Sequence, residues 1–375
     1  MHTRQKGQTL FIGGYIVWQL ILLLTGVVTA AVTTHEPVRN AVHIINPKSP
    51  GNVWEYWDAG IYLQIAEHGY TYSGPKVDYG FWPLWPLTIR FVTVVVHQPV
   101  FAGIVATQIL TLASLYALFR LIRLDASEEI AKRTVLWAMV WPMAFMFTAL
   151  YSEALFTLLV LLTFYAARRQ QWLLAGLAGA LLALTRHVGA LIIIPLLVEW
   201  WARRASTTMR WYRSPAWLWL LPIGTAIFPL VVFMHRETFL APFNYQRIGL
   251  YHALSNPLTE AWRYMIAAGQ QPIAAVPAIL WLLGAVLVAL GIREAYRGRL
   301  RPSYAVYAAL FFLFPMFSTH NLIGIPRYAI VLFPIYLVLA KLWERRRWRW
   351  VVSAGFAAMQ VALFALWVLQ AKVTL

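Results

Sequence analysis

An aromatic segment near the start of the chain carries two carboxylates whose spacing could support acid–base chemistry. The segment reads WEYWDAGIYLQIAEHGY over residues 54–70 and contains Glu55 and Asp58. If it is helical, Asp58 and Tyr62 share one face, and Glu55 lies about one turn before them. A carboxylate on such a face could take a proton from a hydroxyl group as that oxygen attacks a carbon centre. The same pattern also fits a helix on a membrane surface with a solvated or capping Asp58.

The composition of the chain indicates an environment of lipid. Of the 375 residues, 61% are hydrophobic and 12% are charged, whereas a soluble domain carries roughly 25% charged residues. The net charge of +17 lies in short basic clusters between apolar runs. That is the positive-inside pattern of membrane proteins and not the basic patch of a nucleic-acid-binding protein. The chain has no cysteine, which excludes disulfide and thiolate chemistry.

Apolar runs predict an all-α bundle of about eleven transmembrane helices, because a spanning helix needs about 20 apolar residues. The first run exceeds the core of a cleaved signal peptide and is expected to remain as a transmembrane helix. The polar triplet Thr185-Arg186-His187 predicts two half-helices that meet at a break. The segment 81–97 contains two prolines and an arginine and is expected to be a juxtamembrane helix. The predicted spans are residues 10–33, 99–121, 134–150, 152–167, 171–185, 188–202, 215–234, 272–292, 303–319, 326–343 and 350–370.

The basic clusters predict which ends of these spans face the cytoplasm. This assignment makes residues 1–375 a single membrane domain with two large outer loops, 34–98 and 235–271. Ionisable side chains near membrane depth are costly and therefore indicate function. Glu55 and Asp58 fall in the first outer loop. The other ionisable residues assigned to the outer membrane boundary are Glu153, Arg186, His187, His320 and Arg327.

Five stretches of this sequence carry a resemblance to a known family. They are WDAGIYLQIAEHGY from Trp57, FWPLWPL from Phe81, YSEALFTLL from Tyr151, LTRHVGALIIIPLL from Leu184 and IPRYAIVLFPIYLVLA from Ile325. Together they resemble the PIG-V family, the second mannosyltransferases of GPI-anchor synthesis and their prokaryotic relatives. The resemblance implies a GT-C glycosyltransferase fold, a polyprenyl- or dolichyl-phosphate sugar donor (most often of mannose), and inverting transfer at the external face. It also implies an essential acid in the first outer loop, which is Asp58 in this chain.

A lipid phosphate that leaves with its negative charge needs nearby cations more than a strong general acid. Arg186 and Arg327 are the leading candidates because a guanidinium group offers phosphate a fork of donors. Each has an alternative: Arg186 could snorkel to the interface, and Arg327 could only set topology. Glu153 could position a sugar hydroxyl or pair with an arginine, and Glu55 could be a surface charge. The candidate set is Asp58 as catalytic base, with Glu55, Tyr62, Glu153, Arg186, His187, Arg247, His320 and Arg327 in substrate binding.

No metal and no cofactor are predicted, because the histidines His68, His187 and His320 include no pair at helical spacing. The expected partners are a polyprenyl-phosphate-linked donor, the bilayer, and a glycan, lipid or protein acceptor, with no nucleic acid. The expected location is a prokaryotic plasma membrane with the active site on its outer face.

Two other functional classes are compatible with the sequence. One is a flippase or transporter of lipids or oligosaccharides, although such proteins often show inverted repeats and this sequence shows none. ATP-driven transport also has no support, since no Walker A motif is present. The other class is a non-catalytic membrane subunit, in which a change at Asp58 would be silent.

Overall fold

The computed structural model describes residues 2–32, 38–39, 44–45, 54, 58–70, 77–203, 214–235, 237–249, 255–270, 272–317, 325–343 and 348–369. Within these residues the chain is helical, apart from one antiparallel pair of two-residue strands, β1 (Val38–Arg39) and β2 (Ile44–Ile45). The helices are α1 (His2–Val32), α2 (Asp58–His68), α3 (Leu84–Val96), α4 (Pro99–Ile122), α5 (Glu128–Val140), α6 (Glu153–Arg168), α7 (Trp172–Thr185), α8 (Ile193–Arg203), α9 (Leu220–Met234), α10 (Ala241–Gly249), α11 (Pro257–Gln270), α12 (Pro272–Tyr296), α13 (Pro302–Phe317), α14 (Ile325–Tyr328), α15 (Phe333–Leu342) and α16 (Arg349–Val368). Short 3₁₀ turns cover Val77–Gly80, Ala144–Phe147, His187–Ile192, Pro215–Trp219 and Ala329–Val331.

Five helical stretches in the described part of the chain are long and apolar enough to cross a membrane. They are Ile12–Val32, Pro99–Ile122, Pro215–Met234, Ala275–Tyr296 and Arg349–Val368. Shorter apolar helices are Leu84–Val96, Trp172–Thr185, Pro302–Phe317 and Phe333–Leu342. Large apolar side chains on several of these helices are exposed, as lipid-facing side chains must be, and Leu24 and Met234 are examples. The all-α prediction is confirmed, and the number of eleven spans stays a prediction.

The segment between α5 and α6 differs from the predicted span over residues 134–150. Helix α5 begins after Ser127, whose hydroxyl accepts a hydrogen bond from the backbone N–H of Ile130 at 3.3 Å. It ends at Val140, and Trp141 adopts an extended backbone with φ −56° and ψ 135°. The cause is Pro142, since a residue that precedes proline is disfavoured in the helical region. The prediction of one continuous helix over 134–150 is therefore wrong.

A polar break separates α7 from α8, as the sequence predicted. Arg186 follows the last residue of α7 in an extended conformation, with φ −156° and ψ 140°. A 3₁₀ turn then leads into α8. The turn passes so close to α7 that a Cβ atom on Gly189 would lie 2.6 Å from the carbonyl oxygen of Leu182. The break leaves the Arg186 side chain free to turn toward the neighbouring α6.

The ambiguous segment 81–97 contains one short amphipathic helix, α3. Its 13 residues measure about 20 Å, which is shorter than the ~30 Å hydrocarbon core of a bilayer. Trp85 and Ile89 are fully buried on one side, whereas Phe91 and Val95 are each 76% exposed on the other. Helix α3 therefore buries one face against the bundle, and the juxtamembrane position of this segment stays a prediction.

Helix α6 lies at the centre of the bundle, where it packs against α4 and α7 and separates two groups of charged residues. Glu153 is its first residue and Arg168 its last, so the two groups lie roughly 22 Å apart. Arg168 contacts Asp125, which follows α4, and Glu199 on α8. Arg203 and Arg301 also pair with Glu199. We refer to this end of the molecule, where these three arginines meet, as the basic end. The candidate catalytic residues lie at the opposite end.

Candidate active site

Asp58 is the first residue of α2, and its carboxylate contacts Arg327, which lies 269 residues later in the chain. The Oδ2 atom of Asp58 accepts a hydrogen bond from Nη1 of Arg327 at 2.9 Å. The Asp58 side chain is 30% exposed, so it is accessible from outside the bundle. Helix α2 itself is not a solvated surface helix, because Tyr62, Leu63 and other residues along it are buried against the bundle.

Arg327 lies on the short helix α14 and connects two carboxylates. Besides Asp58, it approaches Glu153, with Nε at an ion-pair distance of 2.8 Å from Oε1. The guanidinium carbon lies 4.7 Å from the ring centre of Tyr151 and 5.7 Å from that of Tyr328. Such cation–π contacts fix the plane of the guanidinium group and stabilise its charge. Only 13% of the Arg327 side chain is exposed, so it does not extend to the surface as a topology charge would.

Glu153 begins α6 and is fully buried. Its Oε1 atom is shared between Arg327 and Arg186, whose Nη2 also donates to it. The Nε of Arg186 donates to the Ser152 hydroxyl at 2.8 Å. Arg186 therefore points into the bundle and does not snorkel to the interface. The Oε2 atom of Glu153 is buried and has no hydrogen-bond partner among the described residues.

The four charged groups form one electrically balanced cluster. Two carboxylates, Asp58 and Glu153, face two guanidinium groups, Arg186 and Arg327. Charges removed from water need such pairing, since an isolated buried charge costs several kcal/mol. The cluster joins α2, α6, α14 and the break after α7. Its members come from four separate parts of the chain, and the fold alone brings them together.

Tyr62 supports the cluster from one side. Its hydroxyl lies 3.2 Å from Oγ of Ser152, the same oxygen that accepts from Arg186. The ring meets Phe81 edge to face at a centroid distance of 5.0 Å. Through Ser152, Tyr62 links α2 to the start of α6 and so positions Asp58 relative to the arginines.

His187 lies beside the cluster in an aromatic layer. Its ring is 6.4 Å from that of Trp82 and 6.3 Å from that of Phe243, between centroids. Of the other predicted site residues, Glu55 and His320 lie outside the described residues, and for Arg247 the structure describes the backbone of α10 but not the side chain.

Sequence reasoning missed the neighbours that hold the charged groups. Tyr151 and Ser152 directly precede Glu153, and Tyr328 directly follows Arg327. The stretches YSE and PRY that contain them were part of the family resemblance, so a closer reading of residues next to each charge could have included them. Among the described residues, no group of three or more His, Asp or Glu side chains could hold a metal ion.

Comparison with known proteins first defines the class. The structure resembles that of ArnT from Cupriavidus metallidurans bound to undecaprenyl phosphate, with a TM-score of 0.56 and 16% identity over 96% of this chain and 70% of that chain. It also matches the Archaeoglobus fulgidus oligosaccharyltransferase tethered with an acceptor peptide, with a TM-score of 0.48 and 11% identity over 96% of this chain. This chain spans 55% of the length of that oligosaccharyltransferase. The likeness to ArnT supports the predicted all-α fold of the GT-C type.

The family comparison is more specific. Residues 24–190 match the family described as Mannosyltransferase (PIG-V), which confirms the resemblance over that part of the chain. The matched region contains Asp58, Tyr62, Glu153 and Arg186, but not Arg327. No match was found among curated proteins. The match over residues 24–190 and the apolar helices together support an integral, multi-pass membrane protein.

Proposed function

We propose that this protein transfers a hexose from a polyprenyl-phosphate carrier to an acceptor hydroxyl at the non-cytoplasmic membrane face, with inversion and with Asp58 as general base. The observation that supports this most directly is the contact of a partly exposed carboxylate, Asp58, with Arg327, which Glu153 joins to a second guanidinium group, that of Arg186. The match of residues 24–190 to a mannosyltransferase family favours mannose as the sugar. The related ArnT structure, which contains undecaprenyl phosphate, favours a polyprenyl-phosphate carrier.

The proposed reaction is a single displacement at the anomeric carbon. The acceptor oxygen attacks that carbon while Asp58 removes its proton, and the bond from the anomeric carbon to the phosphate oxygen breaks. The electron pair leaves with the lipid phosphate. Arg327 and Arg186 then stabilise the phosphate charge through directed N–H donors. Because the phosphate is a good leaving group, no general acid is needed.

Because Asp58 is paired with Arg327, the lipid-linked sugar donor would have a second role in the reaction. The hydrogen bond from Arg327 occupies part of the acceptor capacity of the Asp58 carboxylate. A donor phosphate would compete for the Nη1 donor of Arg327 and so release Oδ2 of Asp58. Glu153 would keep both arginines in place during this exchange, since it contacts each of them through Oε1. Its unpartnered Oε2 leaves one buried acceptor for a sugar hydroxyl.

The acceptor is proposed to enter between the two outer loops, 34–98 and 235–271. These loops meet in an aromatic layer, where the rings of Tyr79 and Tyr245 lie 5.5 Å apart and those of Trp82 and Phe243 lie 5.9 Å apart. His187 belongs to the same layer. This arrangement supports a binding role for the loops, and Arg247 and His320 remain ligands proposed from the sequence alone.

The decisive experiment follows label from radiolabelled polyprenyl-phosphate mannose into a lipid extract of the host, using purified protein in detergent. Wild type is compared with Asp58→Asn and with Glu67→Gln, a matched loss of a carboxylate on the same helix. Wild type and Glu67→Gln should form the same new product, and Asp58→Asn should form at least about 100-fold less, the scale of a lost general base. A product formed equally by Asp58→Asn would refute the assignment of the base. Label that crosses reconstituted vesicles without covalent change would instead identify a transporter.

A further inference from the structure

A cavity of about 220 Å³ opens at the basic end of the molecule, far from the candidate active site. It lies between the first turns of α5 and α16, and Trp343, which follows α15, forms part of its wall. Helix α15 carries Lys341, whose Nζ donates to the carbonyl oxygen of Arg299, so the cavity adjoins the other basic segments of this end. None of the four residues of the active-site cluster lines it. The cavity is therefore separate from that cluster.

The walls of the cavity are cationic. Three basic residues, Lys132, Arg133 and Arg349, line it together with one carboxylate, Glu129. Lys132 forms ion pairs with Glu128 at 2.9 Å and with Glu129 at 3.8 Å, and its side chain is 45% exposed. Exposed ion pairs of this kind contribute little and exchange partners readily. The cations outnumber the carboxylate in the lining, so the cavity is suited to a negatively charged group.

Tryptophan side chains give the cavity a second, apolar character. Trp137 is 3% exposed and forms an inner wall, whereas Trp350 is 61% exposed at the rim. The guanidinium carbon of Arg349 lies 5.1 Å from the ring centre of Trp350. Tryptophan next to Lys and Arg is typical of the headgroup level of a bilayer. Beyond the rim, α16 presents an exposed Val351 (61%) and continues as an apolar spanning helix.

The combination of basic residues and tryptophans in the cavity favours one class of anionic ligand over others. A free phosphate ion would need only the cations, and a nucleic acid would need a long basic stripe with stacking positions. A glycerophospholipid uses both halves of the site, because its phosphate meets the cations while its acyl chains lie along the exposed face of α16. Basic pockets between transmembrane helices on the cytoplasmic side are suited to lipid phosphates. We propose that this cavity binds the headgroup phosphate of an anionic glycerophospholipid from the leaflet at the basic end.

The test measures lipid binding to purified protein in nanodiscs of neutral phosphatidylcholine, with and without phosphatidylglycerol. Wild type should unfold at a higher temperature when phosphatidylglycerol is present, because a ligand that binds the native state stabilises it. Arg349→Gln should bind phosphatidylglycerol about 5-fold more weakly, and Arg133→Gln/Arg349→Gln about 25-fold more weakly. The matched control is Arg297→Gln, which removes a 49%-exposed cation from the same end outside the cavity and should respond like wild type.

Separate arms distinguish the sources of phosphate and guard against misfolding. Unfolding in pure phosphatidylcholine shows whether each variant is folded, and native mass spectrometry of wild type alone counts retained phosphatidylglycerol against phosphatidylcholine. Preferential retention of phosphatidylglycerol supports the site even where a variant fails to fold. An equal shift in wild type and Arg349→Gln would overturn the proposal. So would an equal shift with inorganic phosphate, or retention by wild type that does not distinguish the two lipids.

Discussion

The side chains of Asp58 and Arg327 are 269 residues apart in the chain, yet Nη1 of Arg327 donates to Oδ2 of Asp58 at 2.9 Å. The same guanidinium group reaches Glu153, so one arginine joins Asp58 at the start of α2 to the first residue of α6. In the proposed reaction, this arginine would be both the partner of the base and a ligand of the leaving phosphate.

Arg327→Lys should retain a positive charge but lose transfer activity. A lysine ammonium group is a single point of charge and does not reproduce a fork that reaches Asp58 and Glu153 together. We expect kcat to fall about 100-fold, the scale of one lost donor to a developing oxyanion. Steady-state kinetics with labelled donor checks this, and Arg90→Lys on α3, an exposed position, is the control. Unchanged kcat and donor KM in Arg327→Lys would contradict the proposed role.

Glu153→Gln should destabilise the fold as well as weaken donor binding. The change leaves Arg186 and Arg327 with one carboxylate between them, and breaking a buried ion pair costs about 3–5 kcal/mol. Thermal unfolding in detergent measures the loss. A double variant, Glu153→Gln/Arg186→Gln, restores the charge balance and should be more stable than the sum of the single changes predicts. Strict additivity of the two changes would show that the pair is not coupled.

The basic end offers a counterpart that should affect stability alone. Glu199 on α8 accepts from Ser303 at 2.7 Å and pairs with Arg168 and Arg301, each at 3.3 Å. Its side chain is 2% exposed, so Glu199→Gln should reduce the free energy of unfolding by about 3 kcal/mol. The site lies roughly 22 Å from the active-site cluster, so kcat per folded molecule should be unchanged. A parallel loss of kcat would show that the two ends are coupled.

The ion pairs of Asp125 with Arg168 and Arg301 predict that the stability of the fold depends on pH. Burial alone would raise the pKa of this carboxyl, but hydrogen bonds and charge from Arg301 and Arg168 outweigh it, and the pKa lies below its ordinary value. Its contribution to stability is thus complete above the unfolded-state pKa of about 3.9 and is lost as pH falls through the lower folded-state value.

The measurement compares the unfolding temperatures of wild type and Asp125→Asn between about pH 7 and pH 3. Wild type should be the more stable protein at pH 7, and the difference should shrink below about pH 4. A difference that stays constant over this range would mean that ionisation of Asp125 does not contribute.

Much of the architecture could be predicted from local patterns. Apolar runs of sufficient length predicted the helices that correspond to α1, α4, α9, α12 and α16, because the bilayer demands a run of apolar residues wherever the chain crosses. The polar triplet at Arg186 predicted the break after α7, since charged residues interrupt a lipid-facing helix. The prediction of a helical span over 134–150 was wrong, because the backbone leaves the helical conformation at Trp141, the residue before Pro142.

The candidate site was predictable as a set of residues but not as an arrangement. Asp58, Arg186 and Arg327 were singled out because charges near membrane depth are costly, and the resemblance to the PIG-V family indicated which acid matters. The reading of Glu153 left open a sugar contact or an ion pair. The structure shows that its Oε1 pairs with two arginines, while Oε2 is left without a partner among the described residues.

The sequence by itself determined that the chain is helical and apolar enough to enter lipid. It also determined where the basic clusters lie along the chain and which charged residues lie near membrane depth. These properties depend on composition and on periods of a few residues, which a linear sequence contains in full. Only the tertiary structure decided that Asp58 meets Arg327 and that Glu153 holds two arginines. Those contacts join residues between 33 and 269 positions apart in the chain. Their geometry depends on how the helices pack side by side, and local sequence patterns contain no information on those distances.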